Sequence, residues 1–63
     1  MDFAAKLLAE RQRLGLKQPE VAAALELPDR TYWEYEKGKT VPHAIAQEGA
    51  LARLAKLKPK AKP

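Results

Sequence analysis

Residues 14–42 read LGLKQPEVAAALELPDRTYWEYEKGKTVP, and this stretch decides how the chain folds. It predicts two short helices, one over about 18–25 and one over about 29–37. Pro19 is tolerated in the first turn of a helix because the N–H that it lacks has no partner there. Pro28 interrupts the pattern between the two helices, and a glycine follows the second. The stretch therefore predicts two helices joined by a tight turn.

The helix predicted at 29–37 holds three of the chain's four aromatic residues. Helical spacing of three and four residues divides its side chains between two faces. One face is charged and includes the tryptophan: Asp29, Arg30, Trp33, Glu34 and Lys37. The other carries Tyr32, Tyr35 and Glu36, with Thr31 at the border. We expect the two tyrosines to pack in the core and the charged face to remain accessible.

Two further helices are predicted on either side of this pair. Residues 2–14 place apolar side chains at helical spacing, with Asp2 as an N-terminal cap and a glycine as the stop. Residues 43–57 predict a fourth helix whose apolar residues are Ile45, Leu51, Leu54 and Ala55, with Gly49 as a weak point. No strand pattern or internal repeat is visible. The chain is predicted to be all-α, with a four-helix domain at 1–57 and a disordered basic tail at 58–63.

The composition excludes several classes of protein. A chain of 63 residues forms one domain of marginal stability, which makes oligomerisation the expected extra source of stability. It has no cysteine and one histidine, His43, so neither disulfides nor a metal cluster is expected. No apolar run approaches the ~20 residues that span a membrane. We expect a cytoplasmic protein without metal, cofactor or small-molecule ligand.

The net charge of +4 is weaker evidence for nucleic-acid binding than it first suggests. The tail from Lys56 onward carries four lysines and no acidic residue. Without those four lysines the chain has eight basic and eight acidic residues. The position of the charges in the body must therefore decide the partner.

Two short helices joined by a tight turn form the helix-turn-helix arrangement, whose second helix enters the DNA major groove. The stretch at 14–42 resembles the phage repressor/Cro-type (Xre) family of helix-turn-helix regulators. The residues in register with the family's usual run are Gln18, Glu20, Ala22, Arg30, Thr31, Glu36, Gly38 and Pro42. The resemblance covers about 3–55. It implies a lambda-repressor-like fold of four helices, or of five with the last truncated, since many relatives use a fifth helix to dimerise.

The resemblance also implies a function and a set of contacts. A transcriptional regulator, in most cases a repressor, would bind double-stranded DNA as a homodimer on a pseudo-palindromic operator. Arg30 could donate two hydrogen bonds to guanine, and Glu34 or Asp29 could accept from cytosine N4, while Trp33 offers apolar surface. The expected phosphate contacts are Gln18, Thr31, Lys37, Lys39 and Thr40. Arg11 is expected to pair with Glu36 and hold the second helix in place.

The chain departs from the family's pattern in the turn and at two caps. Glu26 stands where glycine is usual, so we expect it to adopt a left-handed conformation. Pro28 replaces the usual serine or threonine, so we expect Asp29 to be the N-terminal cap of the helix at 29–37. Lys17 likewise replaces a common cap of the preceding helix.

Several residues have a second interpretation. Trp33 could be a half-buried core or interface residue, Asp29 a cap and Glu34 an internal partner of Arg30 or Lys37. The basic tail could be a solubilising extension or an arm along the DNA backbone. The alternative function is a protein-interaction or antitoxin-like module with the same fold. An enzyme has no support, because no acidic pair or nearby histidine supplies acid–base chemistry.

Overall fold

A computed structural model describes residues 2–59 of the chain. It contains four helices: α1 Phe3–Leu14, α2 Gln18–Ala24, α3 Asp29–Lys37 and α4 Ala44–Ala55. No strand occurs among the described residues, so the prediction of an all-α domain with four helices is confirmed. The predicted basic tail at 58–63 lies outside the described residues from position 60 onward. None of the helices in the described part has the length and apolar character needed to cross a bilayer.

The first three helices end by the same hydrogen-bonding pattern, the Schellman motif. A residue with positive φ follows each helix: Gly15 at 70°, Glu26 at 59° and Gly38 at 77°. The N–H of the next residue then reaches back to a carbonyl in the last turn, as Leu27 does to Ala22 at 2.8 Å. The predicted left-handed conformation of Glu26 is therefore confirmed.

The starts of the helices agree only in part with the predictions. Asp2 caps α1, and its carboxylate accepts a hydrogen bond from Ala5 N at 2.9 Å. The prediction that Asp29 caps α3 is wrong, because Pro28 is the capping residue and makes no side-chain hydrogen bond there. Asp29 is instead the first helical residue, where its negative charge interacts favourably with the positive end of the helix dipole. His43 lies before α4, and its Nδ1 accepts from Ile45 N at 3.5 Å.

The core is small and draws on all four helices. Its buried residues are Phe3, Leu7, Leu14, Val21, Ala22, Tyr32 and Leu54. Tyr32 is the largest of the fully buried side chains, as its position on the inner face of α3 predicted. Tyr35 is half-buried and meets the ring of Phe3 edge-on, with ring centroids 6.0 Å apart. Ile45 is not part of this core, because 74% of it is exposed.

The packing order determines which surface of α3 is accessible. Helix α3 packs against both α1 and α2, and α4 packs against α1. The inner side of α3 is therefore covered by two helices. Its outer side and the loop after Gly38 are exposed, and they carry most of the residues that the sequence assigns to DNA.

Candidate nucleic-acid interface

Glu36 on α3 is the centre of a hydrogen-bond network that joins three helices. Its side chain is only 5% exposed. Arg11 of α1 donates from Nε to Oε2 at 2.8 Å and from Nη2 to Oε1 at 3.2 Å, which is a bidentate ion pair. Gln18 of α2 donates to Oε1 at 2.8 Å, and the Tyr32 hydroxyl donates to Oε2 at 2.6 Å. The pair that the resemblance implied is thus present, with two further donors.

These contacts change the proton affinity of the groups involved. Burial acts to raise the pKa of Glu36, but the hydrogen bonds from Arg11, Tyr32 and Gln18 outweigh it and the pKa falls below its usual range. The pKa of Tyr32 is raised, first by burial and then by its hydrogen bond to the carboxylate. The hydrogen bond to Glu36 raises the pKa of Arg11. Glu36 is therefore held as a carboxylate and Tyr32 as a neutral donor.

Gln18 lies at the start of α2, where the sequence placed a phosphate contact. The structure directs its amide nitrogen inward, to Glu36. That nitrogen has a second hydrogen, and the side chain is only half-buried. Gln18 is therefore part of the network that sets the position of α3, and it retains polar atoms near the surface.

Two oppositely charged residues on the outer side of α3 lie one turn apart. Nε of Arg30 is 3.4 Å from Oε2 of Glu34, and the side chains are 87% and 30% exposed. An exposed pair of this kind contributes little to stability. Asp29, at the start of the helix, is also exposed. The outer side of α3 thus presents a guanidinium and two carboxylates to the solvent.

Trp33 lies between these charges and is 37% exposed. The ammonium nitrogen of Lys39 is 5.5 Å from the centroid of its ring, the geometry of a cation–π contact. The backbone N–H of Lys39 donates to Glu34 O at 2.9 Å, so the loop after α3 is fixed to the helix. Trp33 is therefore neither fully buried nor a bare apolar surface.

The remaining predicted phosphate contacts surround the end of α3. Lys37 and Thr40 are exposed, and Thr31 is half-buried. The N–H of Thr40 also points to Glu34 O, at 3.5 Å. Lys37, Lys39 and Thr40 thus lie around Gly38 at the end of α3. Gln18 is the first residue of α2, and Thr31 lies in the first turn of α3.

Three contacts at this site were not predicted from the sequence, and the bond from Gln18 to Glu36 is the first of them. The bond from Tyr32 to Glu36 spans one helical turn, and that spacing could have indicated it. The position of Lys39 over Trp33 depends on the reversal of the chain at Gly38, and the sequence holds no comparable signal for it.

A second exposed surface lies at the start of α4 and in the loop before it. Val41 in the loop and Ile45 in α4 are 68% and 74% exposed. A neighbouring groove of about 390 Å³ is lined by parts of α1, α3, α4 and the turn after α2. At its rim Arg53 lies 3.6 Å from Glu26. No group of three or more potential metal-ligating side chains occurs among residues 2–59.

Comparison with known proteins agrees with this architecture. Residues 2–57 match the family described as the helix-turn-helix domain. Neither the curated proteins nor the solved structures gave a significant match. The match covers α1 to α4 entirely, and the chain belongs to the helix-turn-helix domain family. Within it, α2 and α3 are the two helices joined by the short turn, and α3 is the second of them.

Proposed function

We propose that the chain is a sequence-specific DNA-binding regulator of the phage repressor/Cro type, acting in the cytoplasm as a transcriptional repressor. In this proposal α3 lies in the major groove of double-stranded DNA, and occupation of the operator blocks transcription. The observation that carries it is the network around Glu36. A recognition helix must be held in a fixed orientation to read base edges, and Arg11 of α1 and Gln18 of α2 hold α3 through Glu36.

The outer side of α3 supplies the base contacts. Arg30 donates to O6 and N7 of guanine, the commonest specific contact in the major groove. Glu34 and Asp29 accept from cytosine N4, and Glu34 lies close enough to Arg30 to orient it. Trp33 presents its accessible edge to the DNA surface. Adjacent donor and acceptor groups of this kind suit a G·C base pair.

Phosphate contacts flank the helix at both ends. Lys37, Lys39 and Thr40 contact the DNA backbone near the C-terminal end of α3. Gln18 and Thr31 contact it near the N-terminal ends of α2 and α3. Contacts of this type set the register of the protein on the duplex and carry no sequence information.

The regulator acts as a homodimer on a pseudo-palindromic operator whose half-sites are one helical turn (~34 Å) apart. Helix α4 and the preceding loop form the dimer surface. The exposed Val41 and Ile45 support this assignment, because association would remove their apolar surface from water.

The proposal is tested by selecting bound fragments from genomic DNA and measuring their affinity at two salt concentrations. We expect a few fragments with a shared, approximately palindromic site to bind far more tightly than the mixture. We also expect the affinity to fall as salt rises. Equal affinity for every fragment, unaffected by salt, contradicts the proposal.

The exposed apolar surface of α4 also favours a second candidate, a protein-interaction or antitoxin-like module. In that case Ile45→Ser weakens binding to a protein partner, while Arg30→Ala and Lys39→Ala leave it unchanged. The same DNA-binding experiment separates the two functions, because a module of this kind shows no salt-dependent preference for particular fragments.

A further inference from the structure

We propose that Trp33 and Lys39 form one phosphate-binding unit, in which the indole positions the lysine ammonium for a DNA backbone phosphate. This inference rests on the proposed function and refines it. It makes Trp33 a positioning residue rather than a reader of bases. The ligand of the unit is a phosphate diester oxygen beside the end of α3.

The contact itself supports this role. A surface lysine has a flexible four-carbon side chain and loses much of its rotamer freedom when it binds an anion. Here the ammonium lies 5.5 Å from the centroid of the Trp33 ring. Tryptophan is the aromatic residue that attracts cations most strongly. Part of the ordering that phosphate binding requires is therefore complete before DNA arrives.

The backbone around the unit is fixed as well. Gly38 takes a left-handed conformation with φ of 77°, which turns the chain back toward α3. The N–H of Lys39 then donates to Glu34 O at 2.9 Å, one residue after Trp33 along the helix. The backbone of Lys39 is thus held by its hydrogen bond to Glu34, and its ammonium group is held by the ring of Trp33.

A cation over the ring also limits what Trp33 can do. Lys39 lies over one face of the indole, so that face is not open to a base although 37% of the residue is exposed. A base reader needs its contact surface free for a thymine methyl or a base edge. The ammonium has three N–H donors, and a contact with one ring face leaves donors available for a phosphate oxygen. The group positioned to meet the DNA is therefore the lysine.

A double-mutant cycle on DNA binding tests the inference. Trp33→Leu, Lys39→Ala and the double variant are compared with the unsubstituted chain, on the selected operator and on mixed DNA. We expect each single substitution to weaken binding several-fold on both kinds of DNA. The double variant should bind about as well as Lys39→Ala alone, because the indole has no lysine left to position. Trp33→Phe, which keeps an aromatic ring, should retain most of the affinity.

Lys37→Ala is the matched control, since Lys37 precedes the glycine and should contact phosphate without the indole. Its effect should multiply with that of Trp33→Leu. If the effects of Trp33→Leu and Lys39→Ala also multiply, or if Trp33→Leu weakens operator binding alone, Trp33 is a base reader and the inference is wrong. The absence of salt-dependent DNA binding by the unsubstituted chain overturns the proposed function and this inference with it.

The contact can be measured without DNA, which separates the two kinds of failure. In the free protein, the ring current of Trp33 should shift the Lys39 side-chain methylene protons upfield in NMR spectra. Trp33→Leu should remove that shift, whereas Lys37 protons should change little. A Lys39 spectrum like that of an unstructured lysine contradicts the inference even if DNA binding is specific.

Discussion

Tyr32 donates its phenolic hydrogen to Oε2 of Glu36, 2.6 Å away and one helical turn further along α3. The same oxygen accepts from Nε of Arg11 on α1. The bond to Arg11 ties this carboxylate to α1 and so restrains the rotation of α3 about its own axis, while the bond from Tyr32 holds the carboxylate in place. The exposed side chains Arg30 and Trp33 depend on that rotation for their direction.

Replacement of Glu36 by glutamine should destabilise the domain by about 2–3 kcal/mol. Glutamine has a similar shape, but its NH₂ group would face donors in place of one carboxylate oxygen. The guanidinium of Arg11 would then lose one half of its bidentate contact. Urea unfolding followed by circular dichroism measures the change. Glu10→Gln, which breaks the exposed pair with Arg13, is the control and should have a much smaller effect.

Tyr32→Phe removes one donor to Glu36 and keeps the packing of the buried ring. We expect a loss of about 1.5–3 kcal/mol in the free energy of unfolding, the range for a hydrogen bond to a charged group. Binding to the selected operator should weaken in the variant at temperatures where it remains folded. Unchanged stability would show that Arg11 and Gln18 alone satisfy the carboxylate.

Stability should decrease in acid, with Glu36 as an identifiable contributor. The pKa of Glu36 is lower in the folded chain than its ordinary value of 4.5. Its stabilising contribution is therefore fully present above that value and is lost as the pH falls through the folded-state pKa. Unfolding curves between pH 6 and about pH 2.5 should show a steeper decline for the unsubstituted chain than for Glu36→Gln. Parallel declines would assign the acid sensitivity to other carboxylates.

Glu26→Gly should stabilise the domain by roughly 0.5–1 kcal/mol. Glu26 has φ of 59°, a conformation that costs a residue with a side chain about 1–2 kcal/mol and that glycine adopts freely. Part of that gain is offset by the greater freedom of glycine in the unfolded chain. The lost contact with Arg53 is exposed and contributes little. Thermal unfolding tests the change, and Gly38→Ala, at φ of 77°, should shift the melting temperature the other way.

Gly49→Ala should also raise stability, by about 0.5–1 kcal/mol, because glycine is a poor helix former in the middle of α4. An added methyl group would meet no atom within 4 Å in the single chain. If α4 forms the dimer surface, that methyl group would meet the second copy. Sedimentation equilibrium should then show weaker association together with the higher melting temperature. Greater stability with unchanged association would place the dimer surface elsewhere.

Features that depend on residues close together in the sequence were predicted better than contacts between residues far apart. The helices and their ends depend on neighbouring residues, so Asp2, Gly15 and Gly38 correctly marked the start of α1 and the ends of α1 and α3. The predicted ends of α2 at 25 and of α4 at 57 each lie beyond the observed ones, Ala24 and Ala55. The left-handed conformation of Glu26 was predicted through the resemblance, because glycine is usual at that position in the family. The error at Asp29 is local. Proline has no side-chain acceptor, and the capping rule therefore passed over Pro28 although its backbone is extended.

Contacts between distant residues were less predictable. Residues 18 and 36 meet because of the angle at which α2 and α3 cross, and no spacing rule gives that angle. Arg11 and Glu36 are 25 positions apart, and they were paired only through the resemblance to a family. Lys39 lies over Trp33 because of the turn at Gly38. The candidate DNA-binding surface thus depends on tertiary geometry, whereas the helices that carry it do not.

Arg30→Ala should reduce the preference for the selected operator over related sites by about 10- to 100-fold. A bidentate contact to guanine contributes about 1–3 kcal/mol of discrimination, and 1.4 kcal/mol corresponds to a factor of ten. Arg30 is exposed and its pair with Glu34 is weak, so the fold should be unaffected. Competition binding with operator variants changed at one base pair measures the effect. Lys37→Ala is the control and should weaken all sequences alike, while lowering the salt slope by about one. Uniform weakening by Arg30→Ala would make Arg30 a phosphate contact and leave base reading to Glu34 and Asp29.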